Sequence, residues 1–121
     1  MTDHKYSLLL VDDEESIHEA LGIALTEAGH FVGYAGDGAA GFQMFLERSW
    51  DAVITDRAMP QMTGEQLAEE IKAISPETPI ILITGHLLVD RRLNLFHQVL
   101  LKPFSMSDLV AAVADVLGRP A

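Results

Sequence analysis

The sequence predicts an open α/β fold, a parallel five-stranded sheet covered by helices on both faces. Three observations lead there. Strand-like and helix-like patterns alternate from Tyr6 to Leu117 in the order β-α, repeated five times. Two runs, Leu8-Leu9-Leu10-Val11 and Ile80-Ile81-Leu82-Ile83, are apolar without alternation, as expected of strands buried on both faces of a parallel sheet. The connections between elements are short enough for right-handed crossovers. At 121 residues the chain suits one domain that buries roughly two-thirds of its unfolded surface.

Each element has its own signal. After the first strand and the acidic stretch Asp12-Asp13-Glu14-Glu15, the residues Ile17, Ala20, Leu21, Ala24, Leu25 and Ala28 recur at helical spacing until Gly29 supplies a stop. Phe31 to Ala35 reads as a strand weakened by Gly33, better suited to a sheet edge than to its centre. A turn at Gly36-Asp37-Gly38 leads to a helix marked by Ala39, Phe42, Phe45 and Leu46. Ala52-Val53-Ile54-Thr55 is a third strand that delivers Asp56, and Pro60 forbids its continuation. Gly64 opens a helix with the core face Leu67, Ala68, Ile71 and Ile74, closed by Ser75-Pro76 because the residue before proline avoids helical geometry. After the fourth strand, residues 87–95 predict a short helix of weak amphipathicity. Val99-Leu100-Leu101 forms the fifth strand. Ser105 and Asp108 then give a capping-box start to a last helix with the face Leu109, Ala112, Val113, Val116 and Leu117.

Composition narrows the function. There is no cysteine, which excludes disulfides, thiolate metal sites and cysteine nucleophiles. Apolar runs of four or five residues are far short of a membrane span, and Met1-Thr2-Asp3-His4-Lys5 lacks a signal-peptide pattern. A soluble cytoplasmic protein is expected. The formal net charge of −10 repels nucleic-acid phosphates and favours cations or basic partners.

In such a fold every strand-to-helix turn lies at the carboxyl edge of the sheet, where open α/β folds bind ligands. The ends of strands 1, 3, 4 and 5 therefore bring together Asp12 and Asp13, Asp56, Thr84 and Lys102. At about 4 Å and an effective dielectric near 20, two carboxylates repel by roughly 4 kcal/mol. Either some pKa values rise or a divalent cation neutralises the group, and Mg²⁺ prefers an all-oxygen donor set. A cation beside a nucleophilic carboxylate, a lysine and a hydroxyl points to phosphoryl transfer. Each residue alone also fits an ordinary role. Asp12 and Asp13 could cap the first helix, Asp56 could end a strand in a turn, and Thr84 and Lys102 could be a strand-end hydroxyl and a solvated lysine.

The set Val11-Asp12-Asp13-Glu14, Asp56-Arg57-Ala58-Met59-Pro60-Gln61-Met62-Thr63-Gly64, Thr84-Gly85 and Lys102-Pro103-Phe104 resembles the pattern of response-regulator (CheY-like) receiver domains over essentially the full chain. These are the phosphoacceptor modules of two-component signalling. The resemblance implies a flavodoxin-like (βα)5 doubly wound sheet of order 2-1-3-4-5, with residues 1–121 forming a single receiver domain and no output domain. It implies that Asp56 accepts a phosphoryl group from a histidine kinase or histidine phosphotransfer protein. Asp13, Asp56 and the Ala58 carbonyl would hold Mg²⁺, with Asp12 acting through water. Thr84 and Lys102 would contact the phosphoryl oxygens, and Lys102-Pro103 would be cis. The implied output is a changed surface for a downstream protein or output domain, in a signalling protein rather than an enzyme.

Two features depart from that pattern. The family usually carries Tyr or Phe three residues before the lysine, and here the position is Val99, with Phe96 a candidate substitute. The segment from Thr84 to Lys102 is also short for the family. Two other readings follow from the residues. A small Mg²⁺ phosphatase is opposed by the missing second acid of an Asp-x-Asp motif and by the absence of any cap insertion. A phosphorylation-independent interaction module draws on Val99 and the short segment. His86 lies near the pocket mouth by its place after Thr84, and His18 is expected on the solvent side of the first helix.

Overall fold

The computed structural model describes residues 6–85 and 94–118. The described elements are β1 (Ser7–Val11), α1 (Glu15–Glu27), β2 (Phe31–Ala35), α2 (Gly38–Glu47), β3 (Ala52–Asp56), α3 (Gly64–Ile74), β4 (Ile80–Thr84), β5 (Gln98–Leu101) and α4 (Met106–Leu117). All four strand pairings are parallel, in the order β2-β1-β3-β4-β5. This is the doubly wound order implied by the resemblance. Most of the helix expected at 87–95 lies outside the described residues, and Asn94 and Leu95 form a short tight turn.

Because successive strand residues point to opposite faces, the unbroken apolar runs feed two cores. Leu8, Leu10, Ile54 and Ile83 pack with Leu21 and Leu25 of α1 and Leu109 and Val113 of α4. Leu9, Val11, Val53 and Ile80 pack with Leu67 and Ile71 of α3, and Phe42 and Phe45 of α2 lean on the same cluster. β2 is an edge strand, as its mixed character suggests. Gly33 within it lies under the Trp50 ring, where an added Cβ would come 2.5 Å from Trp50.

Some helix faces differ from expectation. In α2, Ala39 and Leu46 are exposed, and the inward stripe is Gly38, Gly41, Phe42 and Phe45. That stripe has the spacing i, i+3, i+4, i+7 of a buried face. Two of its members are glycines, which carry no apolar signal. The backbone at Gly41 sits so close to β1 that a Cβ would be 2.9 Å from Val11. Ile74, at the end of α3, is also exposed, as are Ala20 and Ala28 of α1.

The caps hold. α4 begins with the expected Ser105/Asp108 capping box, and α3 with a second one, Thr63/Gln66, that sequence reading missed. α1 is different. Its N-cap is Glu14, which makes no side-chain cap bond, so Asp12 and Asp13 are not helix caps.

Gly41→Ala is expected to lose about 1–3 kcal/mol of stability by overpacking against Val11. Gly36→Ala, with nothing within 4 Å of an added Cβ, should stay within about 0.5 kcal/mol of the parent. Urea unfolding of the two variants checks the pair, and equal losses would contradict the close α2–β1 approach.

Candidate functional site

Strand register brings the site together. Val11 pairs with Thr55, so Asp12 and Asp56 leave the sheet side by side. Asp56 pairs with Ile83, and Thr84 follows; Thr84 pairs with Leu101, and Lys102 follows. The ladder also runs one residue beyond the strands. Asp12 N–H donates to the Ala35 carbonyl at 3.1 Å, Arg57 N–H to Ile83 at 2.9 Å, and Lys102 N–H to Thr84 at 2.9 Å. These bonds carry the sheet's hydrogen bonding into the first turn residues.

Four of the expected side chains, those of Asp12, Asp13, Asp56 and Lys102, meet. Asp12, Asp13 and Asp56 each present an oxygen, and the three oxygens lie within 4.8 Å of one another. Asp12 and Asp56 are buried, while Asp13 is exposed. Lys102 Nζ lies 3.2 Å from Asp56 Oδ1. Thr84 is buried at the end of β4, and Ala58 is exposed in the connection between β3 and α3. The Lys102–Pro103 peptide is cis.

Asp12 is only partly compensated. One carboxylate oxygen accepts from Glu14 N–H at 2.9 Å, whereas the other is buried with no hydrogen-bond partner among the described residues. Burial raises its pKa above the usual carboxylate range. The Glu14 hydrogen bond opposes that shift, neighbouring Asp56 adds to it, Lys102 opposes it, and Asp13 adds to it. A buried carboxylate with one unpartnered oxygen, clustered with two further carboxylates, fits a hard divalent cation bound by oxygen ligands. Capping of α1 accounts for neither that oxygen nor Asp13.

The connection after Asp56 is tightly built. Gly64 N–H donates to the Arg57 carbonyl at 2.9 Å, and a Cβ at Gly64 would lie 2.5 Å from the Asp56 carbonyl oxygen. Met59 is buried, and Gln61 takes the left-handed region at φ 71°. Arg57 Nε pairs with Glu65 Oε2 at 2.6 Å. Sequence reading missed that pair, because Glu65 looks like any acidic residue in a first helical turn.

Two expectations need correcting. Phe96 does not replace a ring near Thr84. His97 N–H bonds to the Ile80 carbonyl, which puts Phe96 at the amino end of β4, the opposite end from Thr84, where it packs with the α2–α3 core. Val99 is partly buried and pairs with Leu82. Nor is His18 simply on the solvent side. Its Nε2 is buried, and its ring lies tilted against that of Tyr34, with centroids 5.4 Å apart. His86 lies outside the described residues.

The fold, its strand order and the acidic pocket define a receiver domain of the two-component response-regulator class. The chain belongs to the response regulator receiver domain family, whose pattern matches residues 8–114. Transcriptional regulatory protein RprY of Bacteroides fragilis is 34% identical over 97% of this chain and 51% of its own length. Response regulator receiver protein CpdR of Brucella abortus is 32% identical over 91% of this chain and 95% of its own. Among solved structures, response regulator TrrA of Thermotoga maritima, in complex with Mg²⁺ and BeF, has a TM-score of 0.88 at 30% identity, covering 93% of this chain and 99% of that one. Chemotaxis protein CheY4 of Vibrio cholerae has a TM-score of 0.88 at 28% identity, covering 94% and 100%. The chain spans only 51% of RprY and 27% of the Escherichia coli regulator GlrR. No helix among the described residues is long and apolar enough to cross a membrane.

The raised pKa of Asp12 has a definite sign. The folded state holds that proton more tightly than the unfolded chain, so the contribution is favourable below the unfolded value of about 3.9 and is lost as pH rises through the folded value. Without divalent cations, Asp12→Asn should therefore be more stable than the parent at pH ~7, and the gain should shrink toward pH ~4. Urea titrations in a chelator at both values test this; a parent more stable at neutral pH would contradict it.

Proposed function

We propose that Asp56 is the phosphoacceptor of this receiver domain and that its phosphorylation switches a surface read by another protein or by an output domain. The observation that carries the proposal is the setting of Asp56. Its side chain is 9% exposed at the end of β3, with a carboxylate oxygen within 4.8 Å of oxygens of Asp12 and Asp13 and Oδ1 3.2 Å from the Lys102 ammonium.

The donor is a phosphohistidine on a histidine kinase or histidine phosphotransfer protein. An Asp56 oxygen attacks phosphorus, and the O–P bond forms as the N–P bond breaks. The imidazole leaves with the electron pair and takes up a proton. Lys102, which pairs with the Asp56 carboxylate before transfer, pairs with a phosphoryl oxygen afterwards, and the Thr84 hydroxyl donates a hydrogen bond to another. Asp13, Asp56 and the Ala58 carbonyl would hold Mg²⁺, with Asp12 acting through water. When bound, Mg²⁺ supplies positive charge against the carboxylates and the incoming phosphoryl oxygens.

The acidic chain, with its net charge of −10, suits a cytoplasmic partner protein rather than direct contact with nucleic acid. It acts as a signalling protein. Ala58 stands where an Asp-x-Asp phosphatase would place its second acid, so turnover of free phosphate esters is not supported. The complete pocket likewise favours the phosphorylated switch over a module that works without it.

Incubation with a small phosphodonor should label the protein only when Mg²⁺ is present, and Asp56→Asn should abolish labelling. Label that persists in Asp56→Asn would overturn the assignment. Lys102→Ala should fold normally, since its side chain is 41% exposed, yet be labelled about tenfold more slowly or worse for want of a charge-assisted contact worth ~1.5–3 kcal/mol. An unchanged rate would remove Lys102 from the mechanism.

A further inference from the structure

The connection from Arg57 to Thr63 is fastened at its two ends by the same residue. The Arg57 carbonyl accepts from Gly64 N–H at 2.9 Å, and the Arg57 guanidinium pairs with Glu65 at 2.6 Å. Glu65, the second residue of α3, has a side chain only 4% exposed, whereas that of Arg57 is 36% exposed. A carboxylate so buried at a helix start is more than a surface charge favouring the helix dipole, because burial without a partner would be strongly unfavourable. Arg57 N–H is itself bonded to the Ile83 carbonyl, so the ion pair joins the end of β3, already bonded to β4, to the first turn of α3.

Ala58 stands directly after this junction, exposed. Between it and the capping box at Thr63, the one backbone bond within the connection among the described residues runs from Met62 N–H to the Pro60 carbonyl at 2.7 Å. The position of the Ala58 carbonyl therefore depends on what holds Arg57. We infer that the Arg57–Glu65 ion pair is a positioning device, which fixes the Ala58 carbonyl relative to Asp13 and Asp56 and so sets the affinity of the pocket for its divalent cation. Neither residue touches the reacting atoms. The inference rests on the reading of Ala58 as part of the cation site.

Supporting groups around metal ligands typically change affinity 10–100-fold when removed. The decisive variant is Arg57→Gln/Glu65→Gln, because removing both charges spares the fold the unpaired buried carboxylate that Arg57→Gln alone would leave. Calorimetric titration with Mg²⁺, well below the unfolding temperature, should give a dissociation constant raised about tenfold in the double variant and less in Arg57→Lys, which keeps the charge. In the metal-free double variant, hydrogen exchange at the Gly64 amide should quicken while that of the central strands stays as in the parent. A folded double variant with parental Mg²⁺ affinity and parental Gly64 exchange overturns the positioning role and leaves the Asp56 reading standing. A parent that binds no Mg²⁺ overturns both.

Discussion

Like charges held together at the end of a rigid sheet are the constraint around which this protein is arranged. Three carboxylate oxygens lie within 4.8 Å, and at an effective dielectric near 20 each such pair repels by roughly 3–4 kcal/mol. Lys102 relieves part of this through Asp56, and Glu14 N–H relieves part through Asp12. One oxygen of Asp12 gets no relief from the described residues. The metal-free pocket therefore opposes folding, and its oxygen donors fit a divalent cation.

The scaffold can bear that opposition because its central strands are immobilised on both faces. β1, β3 and β4 are buried almost throughout, and the parallel register leaves no freedom in where Asp12, Asp56 and Thr84 emerge. Slipping a strand by one residue would turn its whole side-chain set to the other face. The geometry of the pocket therefore follows from the packing of leucine and isoleucine some distance below it. Beyond the strands, the turns are held by continued ladder bonds, by the close approach of Gly64 to the Asp56 carbonyl, and by the ion pair between Arg57 and Glu65. The edges are looser. β2 and β5 are only partly buried, and exposed apolar side chains such as Ile23, Phe31 and Leu101 belong to the outer elements.

Much of this could be read from the chain because the informative residues sit at punctuation. Strand ends carrying Asp12, Asp56, Thr84 and Lys102 are visible as polar residues directly after apolar runs, and the parallel topology does the rest. The features that escaped reading share a different cause: they depend on close approach rather than on residue type. Gly38 and Gly41 form half of the buried face of α2, yet hydropathy periodicity counts them as nothing, so Ala39 and Leu46 seemed to mark the face. The burial of Glu65 is invisible until its pairing with Arg57 is seen. Phe96 seemed near the pocket by sequence distance from Lys102. It is carried to the far end of the sheet because β5 runs the length of β4 between them. His18 likewise looked solvated from helical spacing alone, yet its Nε2 is buried and its ring contacts Tyr34 of the neighbouring edge strand.

The central claim is that four separate turns make one cation-dependent, phosphoryl-accepting pocket. Backbone amide spectra recorded before and after adding Mg²⁺ together with beryllofluoride test it most directly. Concerted, saturable shifts are expected at residues 11–13, 56–58, 84–85 and 101–102, with smaller changes spreading outward from them. Shifts confined to the exposed acidic side chains of the helices, with the Thr84 and Lys102 amides unmoved, would contradict it.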